Sequence, residues 1–131
     1  MLIEVDFAGE VPIYSQIRDQ IVIGIAAGLL QSGEELPSVR RLAADIGVNL
    51  HTVNKAYALL RDEGYVQMDR RSGARIAPEM ERDPDYEEVL IQKLYPIMAE
   101  ALCHRFTTQD MCDMAKVIYD RLEKKGEQEN G

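Results

Sequence analysis

Five side chains that can form hydrogen bonds lie within seven consecutive residues near the middle of the chain: Asn49, His51, Thr52, Asn54 and Lys55. An asparagine amide can make paired hydrogen bonds to adenine, a lysine ammonium can bind phosphate or guanine, and an imidazole can donate or accept. These residue types suit the edges of bases and the phosphates beside them. For Lys55 the alternative is an ordinary solvated helix face.

The preceding residues predict a short helix that would support this cluster. Ser38 is a suitable N-cap, because its hydroxyl can accept a hydrogen bond from an amide of the first turn. Apolar residues then recur at helical spacing, at Val39, Leu42, Ala43 and Ile46. Gly47 is expected to end the helix, since the chain must turn there through positive φ.

The cluster itself falls on a second predicted helix, capped by Asn49 and ending near Gly64. Its inward positions are Val53, Ala56, Tyr57 and Leu60. Two helices around a short glycine-containing turn are typical of a helix-turn-helix, whose second helix enters the DNA major groove. The alternative is a pair of packed helices in any small α domain.

A β-hairpin is predicted directly after the second helix. Residues 65–68 and 74–77 alternate as strands, and the turn between them carries Arg70, Arg71 and Ser72, with Arg75 on the returning strand. Guanidinium groups at a protruding tip can bind phosphate or enter a minor groove. The sequence therefore predicts a wing beside the two helices.

The charge distribution supports this assignment, although the net charge of the whole chain is −8. Residues 38–77 carry seven basic and four acidic side chains, net +3, whereas residues 1–37 are net −5 and residues 78–131 net −6. Attraction to phosphate acts within a Debye length of about 8 Å, so the local excess is what matters. Chance is the alternative explanation for an excess of this size.

Many residues at fixed offsets resemble the winged helix-turn-helix of the GntR family of bacterial transcription regulators. The matching residues are PIYSQI at 12–17, Gly33, LPSVR at 36–40, Leu42, Ala43, GVN at 47–49, Thr52, Val53, KAY at 55–57, Leu60, Glu63 and Gly64. The resemblance covers about half of the chain, and so many matches are far more specific than a single motif.

The resemblance implies a DNA-binding repressor, often of a nearby transporter operon, and places Arg40 on an arginine that contacts DNA in the family. Ser38 falls beside it in the same matched run. Leu50 and Asn54 stand where some members carry arginines, so the base contacts of those arginines do not carry over to these two positions. About 54 residues follow the wing, which is similar to the YtrA-like subfamily, whose short helical tail serves mainly for dimerisation.

The elements on either side complete a fold that is mainly α with a small β-hairpin wing. A first helix is expected from Pro12, with isoleucines at 13, 17, 21 and 25 and Leu29 on its core face, after a strand-like run at residues 3–7. We expect a winged helix-turn-helix domain at residues 1–77, a linker at 78–83 and a helical tail at 84–131.

The tail is expected to contain two amphipathic helices, the first capped by Asp83 and kinked at Pro96, the second capped at Thr107 and ended by Gly126, with a frayed terminus. Short amphipathic helices must bury their apolar faces. We therefore predict a homodimer through residues 84–125, with these interface side chains: Leu90, Leu94, Ile97, Met98, Met111, Met114, Ile118 and Leu122.

Enzymatic classes find little support in the sequence. Cys103, His104 and Cys112 could suggest a metal site or a thiol nucleophile, but their spacing fits no zinc pattern, and the sequence has no glycine-rich phosphate loop or protease motif. We expect no enzyme activity, no cofactor and no metal. Without a signal peptide or a membrane-spanning run, a cytoplasmic protein is expected. A winged helix used only for protein interaction remains the alternative to a DNA-binding regulator.

Overall fold

Five α-helices and one antiparallel β-hairpin make up the part of the chain that the computed structural model describes, residues 3–71 and 73–130. The helices are α1 (Ile13–Ala26), α2 (Val39–Ile46), α3 (Leu50–Asp62), α4 (Tyr86–Cys103) and α5 (Thr108–Asn130), and the strands are β1 (Val66–Asp69) and β2 (Gly73–Ile76). The predicted fold class, mainly α with a small hairpin, is confirmed. None of the helices in the described residues combines the length and the hydropathy of a membrane-spanning segment.

The chain forms two compact units. One unit, called the head below, contains the residues up to Glu79 together with the end of α5 from Lys124. The other unit runs from Met80 to Glu123 and contains α4 and most of α5.

The core of the head forms where α1 and α2 pack against α3. Its largest fully buried side chains are Tyr57, Ile17, Ile21, Leu60 and Val53. The predicted inward positions of α3 are all buried, because i, i+3, i+4 and i+7 spacing places them on one face. Tyr57 also donates a 2.7 Å hydrogen bond to the carbonyl oxygen of Pro37, just before α2.

The turn between α2 and α3 has the predicted chemistry. The hydroxyl of Ser38 accepts a hydrogen bond from the amide of Arg41, and the side chain of Asn49 accepts one from the amide of His51. Gly47 ends α2 in the left-handed conformation, with φ of 71°. Three residues therefore connect the two helices, and side chains satisfy amides that helix ends leave unpaired.

An ion pair fixes α1 to the end of α3. Both nitrogens of one edge of the Arg18 guanidinium lie on the Glu63 carboxylate, at 2.9 and 3.1 Å, and a third donates to Asp19 at 2.9 Å. The Glu63 carboxylate holds the pKa of Arg18 above its ordinary value. A paired, partly buried arrangement of this kind restricts the orientation of α3 more than a solvated contact would.

The strand predicted at residues 3–7 is absent, which corrects the prediction for this segment. Backbone groups of this segment form hydrogen bonds with side chains of α1 instead. The amide of Glu4 donates to Gln20 Oε1 and the amide of Asp6 donates to Gln16 Oε1. Gln16 and Gln20 return bonds to the carbonyl oxygens of Asp6 and Glu4. Glutamines four residues apart on a helix thus match alternate residues of an extended chain.

The predicted hairpin forms, with each strand one residue nearer the turn than predicted, and it pairs Val66 with Ile76 and Asp69 with Gly73. Residues 33–36 line the other edge of β2, where the amide of Leu36 donates to Ala74 and the amide of Ile76 donates to Glu34. The wing is therefore joined to the segment that leads into α2.

Asp83 does not cap α4 directly, contrary to the prediction. Its carboxylate accepts from the amide of Asp85 in a turn that precedes the helix, and α4 begins at Tyr86. The helix continues on both sides of Pro96.

The start of α5 is a capping box, as predicted. The amide of Asp110 donates to Thr107 Oγ1, and the amide of Thr107 donates to Asp110 Oδ2. The hydrogen bond from the Thr107 amide holds the pKa of Asp110 below its ordinary value.

Gly126 does not end α5, and the terminus predicted to fray is helical through Asn130. Gly126 is buried, and a Cβ placed on it would collide with the carbonyl oxygen of Ala27, just after α1. The glycine is therefore explained by close packing within the head, which the sequence pattern alone does not contain.

We expect Gly126→Ala to loosen the end of α5 rather than strengthen it. At a free helix position alanine is more favourable than glycine by about 1 kcal/mol, but here the methyl group meets backbone that cannot rotate away. Hydrogen exchange should show faster exchange at residues 124–128 in the variant. Glu127→Ala, one residue later at an exposed position, is the control and should leave exchange unchanged. Slower exchange in Gly126→Ala would contradict the contact.

Candidate nucleic-acid interface

The exposed side of α3 carries the polar cluster that the sequence predicted. His51, Asn54 and Lys55 are exposed, whereas Thr52 is half-buried. Residues three and four apart are neighbours on a helix surface, so His51 lies beside both Asn54 and Lys55. Leu50, at the first position of α3, is 39% exposed and adds an apolar contact surface.

Two predicted contact residues also serve as helix caps. The Ser38 hydroxyl and the Asn49 side-chain oxygen each accept a backbone amide, at 3.1 and 2.8 Å. Each oxygen has further acceptor capacity and each side chain retains donor hydrogens, so a cap can still donate to a phosphate.

Arg40 and Arg41 lie in the first turn of α2, and both are exposed. Arg41 is 3.9 Å from Asp45 one turn later, whereas Arg40 makes no ion pair with any residue that the structure describes. The charge of Arg40 is therefore available to an external anion.

The wing contributes a concave surface that we call the wing groove. It is lined by Arg61, Met68, Arg70, Arg71 and Arg75, among others. Arg70 and Arg71 are exposed at the hairpin turn, and Ser72 lies outside the described residues. Arg75 is half-buried and donates to the carbonyl oxygen of Gly33 at 3.0 Å, so part of its guanidinium supports the fold.

Two residues near this surface were not predicted as site residues. Arg61 belongs to the wing groove but is paired with its neighbour Asp62 at 3.1 Å. Tyr14 of α1 lies under the ammonium group of Lys55, whose nitrogen is 4.0 Å from the centroid of the tyrosine ring. Helical spacing within one element gives no signal for either position.

Together these elements define a winged helix-turn-helix: two helices around a three-residue turn, followed by an antiparallel hairpin with arginines at its turn. Within the described residues, no group of histidine, cysteine or carboxylate side chains has the arrangement of a metal site.

Comparison with known proteins identifies the family. The model of the gntR family of bacterial regulatory proteins matches residues 13–76. YtrA, a transcriptional repressor of Bacillus subtilis, is 40% identical over 76 residues, which are 58% of this chain and 58% of YtrA. YhcF, an uncharacterized transcriptional regulator of the same organism, is 33% identical over 88 residues, 67% of this chain and 73% of YhcF.

Similar solved structures include a member of the same family. YtrA of Sulfolobus acidocaldarius, a GntR-family transcription factor, is 38% identical with a TM-score of 0.64, over 76% of this chain and 99% of that one. A transcriptional antiterminator of Listeria monocytogenes has a TM-score of 0.85 at 25% identity, over 94% and 93% of the two chains. The DNA-binding domain of AraR, in complex with operator ORX1, has a TM-score of 0.53 at 28% identity, over 57% and 96%.

The chain therefore belongs to the GntR family of bacterial regulatory proteins, and its similarity to both YtrA proteins makes it a YtrA-like member. The matched region spans 58% of YtrA and 62% of a transcriptional regulator of Mycobacterium tuberculosis, so the chain covers about three-fifths of the first curated relatives.

Proposed function

We propose that this chain is a sequence-specific DNA-binding transcription regulator that acts as a repressor and binds an inverted-repeat operator as a homodimer. The observation that carries the proposal is the exposed row of His51, Asn54 and Lys55 on the second helix of a winged helix-turn-helix. The complex of the AraR DNA-binding domain with its operator supports the same use of this fold.

In the proposed complex α3 lies in the major groove. Asn54 can pair with adenine, and Leu50 can contact a thymine methyl group. Arg40 and Ser38 are assigned to flanking phosphates, and Asn49 and Thr52 to phosphates or base edges. Four residues of the wing are assigned to the DNA backbone or the minor groove: Arg70, Arg71, Ser72 and Arg75.

The unit from Met80 to Glu123 supports the proposed dimer. α4 contains no buried residue, and its apolar side chains are exposed, among them Leu90, Ile97 and Met98. Met114 and Ile118 of α5 are exposed as well. Helices with such faces are stable when another surface covers them, and a second copy would also place two heads on two half-sites.

The proposed organisation is a DNA-binding domain at residues 1–77, a linker at 78–83 and a dimerisation tail at 84–131. The name of Bacillus subtilis YtrA as a repressor supports repression, and the YtrA-like resemblance makes a neighbouring transporter operon the proposed target.

Selection of bound fragments from random DNA tests the function directly. Recovery of an inverted repeat with half-sites about one helical turn apart is expected. Binding should weaken steeply as salt rises, because each phosphate contact releases condensed counterions. A protein that recovers no sequence and binds no duplex would instead be an interaction module.

We expect Arg40→Ala to weaken binding to the selected operator and to unrelated duplexes alike, and to reduce the salt slope by about one per subunit. Asn54→Ala should instead alter sequence preference, by about 1–3 kcal/mol at one base pair. Arg41→Ala is the matched control, since Arg41 lies in the same turn and faces Asp45. Equal losses for Arg40→Ala and Arg41→Ala, measured by fluorescence anisotropy, would contradict the assignment of Arg40.

A further inference from the structure

The ammonium group of Lys55, on the recognition helix α3, lies 4.0 Å from the centroid of the Tyr14 ring on α1. This is cation–π contact distance. Tyr14 is half-buried and packs against the core of the head, while Lys55 is exposed. The ring is therefore a fixed part of the fold, and the lysine side chain is the flexible partner that rests on it.

We propose that Tyr14 is a positioning residue that holds the charge of Lys55 in place for a DNA phosphate. This inference rests on the proposed DNA-binding function. It gives α1, which packs against α3, an effect on DNA binding that acts through Lys55.

The electrostatic surroundings of Lys55 distinguish it from Arg18, another cation of the head that lies on an aromatic ring. Arg18 lies 5.5 Å from the centroid of Tyr65, but Glu63 and Asp19 neutralise its charge. Within the described residues, no carboxylate forms an ion pair with Lys55. An aromatic ring attracts a cation without cancelling its charge, so the full positive charge remains for phosphate.

The position of Lys55 along α3 places its charge beside the side chains proposed to contact bases. Lys55 follows Asn54 directly and lies one turn after His51, so a phosphate bound there fixes the register of both side chains along the groove. A free lysine would lose rotamer freedom when it binds phosphate. Contact with Tyr14 removes part of that freedom before DNA arrives, which favours binding.

The ring is expected to contribute a small but measurable factor. A cation–π contact at an exposed site corresponds to about a two- to fivefold change in an equilibrium constant. Tyr14→Leu, which removes the ring but keeps an apolar side chain, should weaken binding by about this factor. Tyr14→Phe keeps the ring and should bind like the unchanged protein.

The experiment measures dissociation constants by fluorescence anisotropy for the unchanged protein, Tyr14→Leu, Tyr14→Phe, Lys55→Ala and the double variant Tyr14→Leu/Lys55→Ala. The probes are the operator recovered by selection and an unrelated duplex of equal length, each over a range of salt concentrations. Lys55→Ala should weaken binding to both duplexes and reduce the salt slope by about one per subunit. Tyr14→Leu should have no further effect once Lys55 is absent.

A second readout tests the contact without DNA. The Lys55 side-chain protons should show a ring-current shift in the NMR spectrum of the unchanged protein and of Tyr14→Phe, and lose it in Tyr14→Leu. Tyr14→Leu must also remain folded, as judged by its thermal unfolding.

The outcomes separate this inference from the function on which it rests. In one outcome the unchanged protein binds the operator, while Tyr14→Leu weakens binding equally whether or not Lys55 is present. That result would leave the proposed function standing but overturn the positioning role of Tyr14. Unfolding of both Tyr14 variants at the assay temperature would assign Tyr14 to stability and overturn it too. Failure of the unchanged protein to bind any duplex would overturn the proposed function and the inference together.

Discussion

Ile118→Asp is expected to turn the proposed dimer into a monomer and to weaken operator binding by about a hundredfold or more. Ile118 lies on the apolar face of α5 and is 54% exposed in the single chain. If a second copy covers this face, the variant places a carboxylate in an apolar interface, where an unpaired charge is strongly unfavourable. Two linked heads can bind about 10²–10⁴ times more tightly than one, so loss of the dimer removes this gain.

Sedimentation velocity at micromolar concentration and anisotropy with the selected operator measure the two effects separately. Lys116→Gln is a matched control, because it makes the same change in net charge on the opposite side of α5. It should remain dimeric. A dimeric Ile118→Asp variant that binds the operator normally would contradict the assignment of this face.

The helix-turn-helix could be predicted from sequence because local chemistry determines it. Ser38 and Asn49 cap their helices through bonds to amides two or three residues away, and Gly47 adopts the conformation for which glycine is favoured. Burial of Tyr57 and its neighbours follows from helical periodicity within one element. None of these inferences requires knowledge of a distant residue.

Errors occurred where a distant residue decides the local structure. Residues 3–7 alternate like a strand, but glutamines 16 and 20 of α1 take the place of a strand partner. Gly126 has the sequence signature of a helix end, yet it lies within α5 beside the carbonyl of Ala27. The same local pattern is compatible with both outcomes, and only tertiary packing selects between them.

The candidate interface shows the same contrast between what local sequence determines and what tertiary packing determines. The residue types on α3 and at the wing indicated what each side chain could bind, but not which side chains the fold already uses. Arg75 supports residue 33 through its guanidinium, and Arg61 is paired with Asp62. The contact between Lys55 and Tyr14 joins two helices and has no signature within either.

Tyr57→Ala is expected to lower the free energy of unfolding of the head by about 3–5 kcal/mol, and Tyr57→Phe by about 1–2 kcal/mol. The alanine variant loses a fully buried ring and leaves a cavity between the helices. The phenylalanine variant keeps the ring but leaves the carbonyl of Pro37 without the 2.7 Å hydrogen bond. The difference between the two variants separates core packing from the bond that fixes the entrance to α2.

Urea unfolding followed by circular dichroism measures both values. Phe7→Ala is the control, because it removes an aromatic ring that is 65% exposed and should change stability by less than about 0.5 kcal/mol. A loss in Tyr57→Phe equal to that in Tyr57→Ala would assign the whole effect to the hydroxyl group and contradict the packing argument.

Tyr57 also gives the stability of the head a dependence on alkaline pH. Burial raises the pKa of Tyr57 above the ordinary value of 10.0. Above about pH 10 the folded state therefore retains a proton that the unfolded chain releases. The contribution of Tyr57 to the free energy of unfolding is fully present below about pH 10 and is lost as the pH rises above it. Between the two pKa values, the unfolding free energy should fall by about 1.4 kcal/mol per pH unit. Tyr57→Phe has no phenol at this position, so its unfolding free energy lacks this pH dependence. The stability advantage of the unchanged protein over Tyr57→Phe should therefore shrink above about pH 10. An equal fall in both proteins would assign the effect to other groups.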